Sequence, residues 1–344
     1  MIAEMSKAPP TAPLPPTSPS TPAWQRALAE GYRDAAALLR DLDLDPQDLA
    51  LAQDTDGFPL RVPRSFARRM RRGDPRDPLL RQVLPLAAEN QTAPGFVADP
   101  VGDAAALAAP GLLHKYHGRV LLLVGGACAV HCRYCFRRHF PYSEAGGRAG
   151  EWGEALDRVT ADERIREVIL SGGDPLAVSD TRLAALVHGL EAVPHVQRLR
   201  IHTRLPVVLP CRIDDALLAW LGRTRLQVVV VIHANHGNEI DDEVTAALAR
   251  LQGAGATLLN QSVLLRGVND DDAVLAALSE KLFDAGVLPY YLHLLDRVQG
   301  AAHFEVPEAE ALAIHRALMA RLPGYLVPRL VREKAGGMYK EPVT

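Results

Sequence analysis

Three of the four cysteines in this chain fall within eight residues, Cys128-Ala-Val-His-Cys132-Arg-Tyr-Cys135, directly after the apolar run Val120 to Val124. Thiolates at this spacing can hold three irons of a [4Fe–4S] cube, whose full set of protein ligands is usually four cysteines. The fourth iron is then left for a ligand that the protein does not supply. Structural zinc is the competing reading, but zinc takes four closed ligands, normally as two separated pairs. A chance group of core thiols is the bland alternative. The crowding of three cysteines into one loop of a cysteine-poor chain favours the cluster. Thiolates kept for a metal need a reducing compartment, which points to the cytoplasm. Cys211 stands alone and reads as a quiet core or near-surface thiol.

With 344 residues, the chain is long enough for one barrel-sized domain and an appendage. A net charge of -3 argues against a nucleic-acid or membrane partner. No stretch approaches the ~20 apolar residues that span a bilayer. The N-terminus lacks the apolar core of a secretory signal.

Seven prolines in residues 1–22, spaced by Ser, Thr and Ala, predict a disordered tail. Residues 23–105 read as a helical region, with one helix from Trp24 through Leu39 and another from Pro63 to Gly73. The second carries Arg64, Arg68, Arg69, Arg71 and Arg72, either a patch for an acidic macromolecule or a solvated helix face. Residues 106–335 alternate apolar strands with amphipathic helices, and residues 336–344 form a C-terminal segment.

Strands are expected near 119–124, 166–170, 198–202, 226–232, 258–265 and 289–295. Helices are expected between them, near 152–163, 180–191, 213–222, 241–254 and 271–285. Near-continuous apolar runs such as Leu226 to Ile232 suit strands covered on both faces. Polar motifs close successive strands: the cysteine loop, Ser171-Gly-Gly-Asp-Pro175, His202-Thr-Arg204, His233-Ala-Asn-His236 and Asp296, with Asn260-Gln-Ser262 inside the fifth. Chemistry at the C-terminal ends of many strands is the barrel arrangement, whereas a doubly wound sheet gathers it at one switch point. The expected fold is therefore α/β, a partial (β/α)6 TIM-like barrel with an N-terminal helical extension.

Ser171, Gly172, Gly173 and Asp174 combine unobstructed backbone with a carboxylate able to meet an ammonium group. Beside the cysteine loop, this segment resembles the glycine-rich turn that binds the methionine end of S-adenosylmethionine (SAM) in radical SAM enzymes. The resemblance extends further, through Pro110-Gly-Leu-Leu-His-Lys-Tyr-His-Gly-Arg119, Cys135-Phe-Arg-Arg-His139 and Ser171-Gly-Gly-Asp-Pro-Leu176. It continues in Arg204-Leu-Pro-Val-Val208, Asn260-Gln-Ser-Val-Leu-Leu265 and Pro289-Tyr-Tyr-Leu292. Over about residues 55–340 the chain resembles the lysine 2,3-aminomutases, radical SAM enzymes that also use pyridoxal phosphate (PLP). In detail it resembles the short branch that makes β-lysine for elongation factor P, and its end four residues past Lys340 agrees with that branch.

The resemblance implies roles for particular residues. Cys128, Cys132 and Cys135 would hold the [4Fe–4S] cluster, and Lys340, after Gly336-Gly-Met-Tyr339, would anchor PLP. Longer family members have a run of glycines before that lysine, so Met338 and Tyr339 are a departure. Lys115 and Arg119 match the phosphate contacts, cations as a phosphate requires. Arg137 matches the arginine that clamps the substrate carboxylate. Asp296 and Glu333 match the acids that hold the distal ammonium of lysine, with Glu333 standing in place of an aspartate. His233 and Gln261 match positions lining the SAM pocket. The implied reaction converts L-lysine to (R)-β-lysine, driven by an electron donor such as flavodoxin or ferredoxin and linked to the elongation factor P lysyl ligase. Rival readings are an aminomutase for another cationic amino acid, a radical SAM enzyme without PLP, and an iron–sulfur redox or structural module.

Overall fold

The computed structural model describes residues 21–55, 57–146 and 151–344. The expected proline-rich tail lies almost wholly outside them. The N-terminal region forms short helices: α1 (Ala23–Ala29), α2 (Ala35–Asp41), α3 (Arg64–Ala67) and α4 (Pro78–Arg81). The helix expected from Trp24 to Leu39 is broken in two. At the break Tyr32 pairs with Val62, its N–H donating to Val62 O at 2.8 Å. Gly31 packs so closely there that a Cβ would meet Val62 O. Asp34 restarts the helix by capping the N–H groups of Ala36 and Ala37.

The helix expected from Pro63 to Gly73 also ends early, at Ala67. Tertiary bonds take over: Arg69 reaches the backbone carbonyls of Val207 and Glu239, and Arg71 N–H donates to the Asp77 carboxylate at 3.0 Å. The other arginines here have acidic partners: Arg64 with Asp41, Arg68 with Glu243 and Arg72 with Asp43. Each of those three charges therefore has an acidic neighbour within the chain, at an exposed surface.

Among the described residues ten strands make one sheet in sequence order: β1 (Leu107–Ala109), β2 (Leu112–Tyr116), β3 (Arg119–Leu123), β4 (Glu167–Ser171), β5 (Arg198–Thr203), β6 (Gln227–Ile232), β7 (Thr257–Val263), β8 (Leu288–His293), β9 (Arg329–Arg332) and β10 (Glu341–Pro342). Strands β3 through β9 are parallel, and antiparallel hairpins close each edge. The helices after them are α5 (Gly153–Ala161), α6 (Asp180–Glu191), α7 (Leu205–Val208), α8 (Asp215–Leu221), α9 (Asp242–Gly253), α10 (Asp272–Asp284) and α11 (Glu308–Arg321).

This is the partial barrel, an α/β fold whose six expected strands correspond to β3 through β8. Beyond the expectation, β9 extends the parallel run by one strand. At four residues, β9 is too short to show a period in the sequence. Among the described residues the two outermost strands do not pair with each other, so the barrel stays open.

One apolar core joins Trp24, Leu38, Phe66 and Leu79 of the N-terminal helices to Val120, Leu170, Ile201 and Val230 of the sheet. A second core, with Leu275, Leu292 and Leu330, lies under α10 and α11. Among the described residues no helix is long and apolar enough to cross a membrane.

Candidate active site

The cysteine loop leaves the C-terminal end of β3 and is gripped from the N-terminal region. Arg61 donates to Cys128 O at 2.8 Å, and His131 N–H and Arg133 N–H donate to Arg61 O and Gln82 O. Arg133, fully buried, and Arg138 share the Glu89 carboxylate at 2.5 and 2.8 Å. Two cations on one buried carboxylate fix the loop on both flanks of Cys135.

Arg204, after β5, brings its guanidinium to Cys132, with Nη1 2.7 Å from Sγ. Its Nη2 donates to Gln82 Oε1 at 2.7 Å and Glu239 Oε2 at 3.0 Å. The Cys132 sulfur is thus fixed by a buried guanidinium that two further acceptors hold in place. Burial pushes the Cys128 and Cys135 thiols up, Cys135 to about 11, so a bound cation is what would ionise them. The donor set thus fits an iron–sulfur cluster. Among the described residues no group of three or more His, Cys, Asp and Glu side chains is arranged to hold a single metal ion. Cys211 is exposed and lies apart from the loop's bonds.

Ser171-Gly172-Gly173-Asp174 lies directly against Gly125-Gly126-Ala127. Gly173 N–H donates to Gly125 O and Asp174 N–H to Ala127 O, both at 2.8 Å. A Cβ on Gly172 would strike Gly125 O, and one on Gly173 would strike Ala127 O and Gly126 O. Gly172 also needs its φ of 126°, which a side chain disfavours. The result is a backbone-lined cradle beside the cysteine loop. Asp174 points away from it. Its carboxylate accepts from Thr203 Oγ1, Arg204 N–H, Leu205 N–H and Leu176 N–H at 2.7 to 3.2 Å, so its lone pairs are engaged inside the protein.

The remaining charged residues form one chain of alternating sign. Arg137 donates from Nε to Asp103 Oδ2 at 2.6 Å and from Nη1 to Ser171 Oγ at 2.9 Å. Lys115 lies 2.6 Å from Asp103 Oδ1 and donates to Glu333 Oε1 at 3.0 Å and Val101 O at 2.9 Å. Lys340 donates to Glu333 Oε2 at 2.6 Å. The Lys115–Glu333 pair links the β2 edge of the open sheet to the β9 edge. Burial pushes Glu333 up, but the Lys340 and Lys115 charges more than reverse this and hold it at about 2. Burial likewise raises Asp103, and Arg137 and Lys115 overturn it to a net lowering.

Asp296, after β8, meets the opposite balance. It is only partly exposed, and desolvation pushes its carboxyl up to about 7 against the pull of Lys340 and Lys115. Arg119 stacks over Tyr116, 4.6 Å from the ring centroid, and the Tyr116 phenol is pushed up first by burial and then by Glu333. His233 at the end of β6 pairs with Gln261 of β7, Nε2 to Nε2 at 2.8 Å. Burial lowers His233 to about 3, so it is a neutral ring. His202 and His293 are also held neutral by burial, and each keeps a buried Nε2 with no hydrogen-bond partner among the described residues.

Residues 117–199 match a family model described as a 4Fe-4S single cluster domain. An L-lysine 2,3-aminomutase from Escherichia coli (strain K12) is 53% identical over 328 residues, covering 95% of this chain and 96% of that protein. One from Haemophilus influenzae is 50% identical over 314 residues, covering 91% and 93%. This chain belongs to the L-lysine 2,3-aminomutase family. A member from Clostridium subterminale is 40% identical over 271 residues, 78% of this chain and 65% of its own. A solved radical SAM methyltransferase from Sphaerobacter thermophilus is 20% identical and covers 64% of this chain and 68% of its own, with a TM-score of 0.44.

Membership makes the chain an enzyme, an isomerase that takes a [4Fe–4S] cluster and SAM, with PLP the family's further expected cofactor. In this family setting, sequence reasoning gave no role to Asp103, Glu89 or Gly125-Gly126, and it read Arg204 only as part of the motif that closes the third expected strand. Asp103 and Glu89 carry no local motif. The Gly125-Gly126 pair was a readable signal, since adjacent glycines after a strand mark close backbone approach.

Proposed function

We propose that this protein is an L-lysine 2,3-aminomutase that moves the α-amine of L-lysine to Cβ and yields (R)-β-lysine. The observation that carries the reading is the charge chain Arg137–Asp103–Lys115–Glu333–Lys340, which joins groups suited to a carboxylate, a phosphate and an imine-forming amine. When bound, the cluster with SAM supplies an organic radical able to take hydrogen from Cβ, and PLP supplies an electrophilic carbonyl and a π-system.

The chain's own residues bind and orient. Cys128, Cys132 and Cys135 hold the cluster. Gly172 and Gly173 bring backbone to SAM without side-chain obstruction, while His233 and Gln261 line its pocket. Asp174 shapes that turn from behind through its four internal bonds. Arg137 offers a forked guanidinium to the substrate carboxylate. Lys115 and Arg119 draw the phosphate. Lys115 donates to Val101 O and Glu333 Oε1 and lies 2.6 Å from Asp103 Oδ1, so phosphate shares or displaces its bond to Glu333. Lys340 supplies the amine that anchors PLP, and Asp296 and Glu333 select a cationic side chain. The barrel of residues 106–335 carries the cluster and SAM groups, and the segment 336–344 brings in Lys340. Anaerobic incubation with lysine, SAM, PLP and dithionite, followed by chromatography and mass measurement, should give an isobaric product that elutes as β-lysine. Unchanged lysine, with SAM cleaved, would sink the reading.

We further propose that the β-lysine serves elongation factor P, passed to its lysyl ligase in the cytoplasm, with flavodoxin or ferredoxin as reductant. Support comes from Gly111-Leu-Leu-His-Lys-Tyr-His117 and Cys135-Phe-Arg-Arg-His-Phe-Pro-Tyr142, which resemble the short branch. Intact mass of elongation factor P from cells with and without this gene is the test. An unchanged β-lysyl mass in the deletion strain would rule the role out.

A further inference from the structure

Asp103 is 1% exposed and sits between two cations that belong to different parts of the site. Oδ2 accepts from Arg137 Nε and Oδ1 lies against Lys115 Nζ, both at 2.6 Å. The segment around it is itself fixed. The Asp99 carboxylate accepts the N–H groups of Asp103 and Ala104 at 3.0 Å each. Gly102, at φ 68°, packs on Ala335 of the loop that leads to Lys340. A cavity of about 150 Å³ opens beside Asp103 and Arg137, lined also by Phe136 and His139.

We infer that Asp103 is a positioning residue, which holds the substrate-carboxylate clamp Arg137 and the phosphate lysine Lys115 at one fixed separation. The inference rests on the roles proposed above for those two residues. Arg137 gives Nε to Asp103 and one Nη1 proton to Ser171, so its remaining N–H groups have a set direction. Lys115 is tied by Asp103 and Val101, which leaves its bond to Glu333 as the one that can be exchanged. A single buried carboxylate also cancels the repulsion between the two cations. Without it Arg137 would lose its carboxylate partner, Lys115 would keep only the Glu333 carboxylate, and the two cations would turn apart.

The spacing between the clamp and the lysine sets how substrate carboxylate and cofactor phosphate are seated together. Loss of Asp103 therefore weakens both ligands, although Asp103 touches neither. The residue acts through Arg137 and Lys115, so its effect disappears once those are disabled.

The test uses anaerobically reconstituted full-length enzyme, with Asp103→Asn compared against Arg137→Lys and Lys115→Gln. Lysine KM and kcat, PLP affinity by absorbance titration, and iron and sulfide content are measured for each. Asp103→Asn should raise lysine KM at least tenfold and weaken PLP at least threefold, with iron content unchanged. Added to Arg137→Lys, it should raise KM by less than a further threefold, since coupled residues are not additive. KM and PLP affinity within twofold of wild type, while the two reference variants move, would overturn the inference and leave the roles of Arg137 and Lys115 intact. Loss of iron with KM and PLP affinity unchanged in the loaded fraction would overturn it too, as the mark of a merely structural residue. Reference variants that themselves leave KM and PLP affinity unchanged would overturn the roles of Arg137 and Lys115 and the inference with them. If Asp103→Asn does not fold, Asp103→Ser submits to the same measurements.

Discussion

Lys340 Nζ donates to Glu333 Oε2 at 2.6 Å because one hairpin holds both residues. Glu333 directly follows β9 and Lys340 directly precedes β10, and Glu341 pairs with Arg332. The two side chains therefore face each other across the mouth of the loop, whose return is turned by Gly336 at φ 73°. The bond links the amine proposed to anchor PLP to an acid proposed to meet the substrate.

Lys340 should carry the cofactor. Borohydride reduction of the PLP-loaded enzyme, followed by peptide mass spectrometry, is expected to find the phosphopyridoxyl mass on the C-terminal peptide. Lys340→Ala should abolish that label and all lysine turnover. A label on another lysine would move the anchor.

Glu333 links acid stability to this site. Its carboxylate, held at about 2 in the folded chain against an ordinary value of 4.5, contributes stability above pH 4.5 that is lost as pH falls toward 2. The contribution is up to about 3 kcal/mol. Glu333→Gln in the cofactor-free protein should lower the melting temperature at pH 7 and remove most of the difference near pH 2.5. Equal melting temperatures at pH 7 would contradict the pairing.

Asp296 predicts a pH dependence of substrate binding. Burial raises its carboxyl to about 7, so below that pH it is largely neutral and a poor partner for lysine's ammonium. Lysine KM should fall as pH rises through about 7, and Asp296→Asn should flatten that profile. Asp296→Lys places a like charge at the substrate amine and should cut lysine turnover at least a hundredfold, with little change in uncoupled SAM cleavage. Equal loss of both activities would point to damage elsewhere.

Gly173 tests the cradle. Gly173→Ala puts a methyl into Ala127 O and Gly126 O, so SAM binding should fall by at least tenfold in equilibrium dialysis. A bound-SAM level equal to wild type would show that the turn does not approach the ligand.

The cluster assignment is checked by metal analysis. Cys211→Ala should retain full iron and sulfide after anaerobic reconstitution, since the residue is exposed. Cys132→Ala should lose the intact cluster. The reverse pattern would overturn the assignment.

Strands β4 and β6 were legible because burial on both faces writes a near-continuous apolar run, as in Val228 to Ile232, whereas β5 shows instead the alternation of a half-buried strand, Arg198-Leu-Arg-Ile-His-Thr203. The cysteine loop was legible because cluster ligation is local and needs only spacing. Asp103 and Glu89 left no such trace. Each lies in a segment without a period, and its partners, Arg137 for one and Arg133 for the other, are 34 and 44 residues away. The helix past Pro63 stops short because the Arg69 side chain donates to Ser65 O and the Arg71 N–H donates to the Asp77 carboxylate, bonds that no helical pattern anticipates.

The sequence by itself determined the order of strands and helices, the cysteine loop and the chemical types available at each strand end, because these follow from short-range pattern. Only the tertiary structure decided how the charges combine. Lys115 and Glu333 are 218 residues apart, and they meet because the two edges of an open barrel curve toward one another. Asp174 shows the same division: its side chain turned inward to four donors, leaving the backbone of Gly172 and Gly173 to face the cysteine loop. A carboxylate goes where unsatisfied N–H and O–H donors are buried, and those positions exist only once the chain has folded.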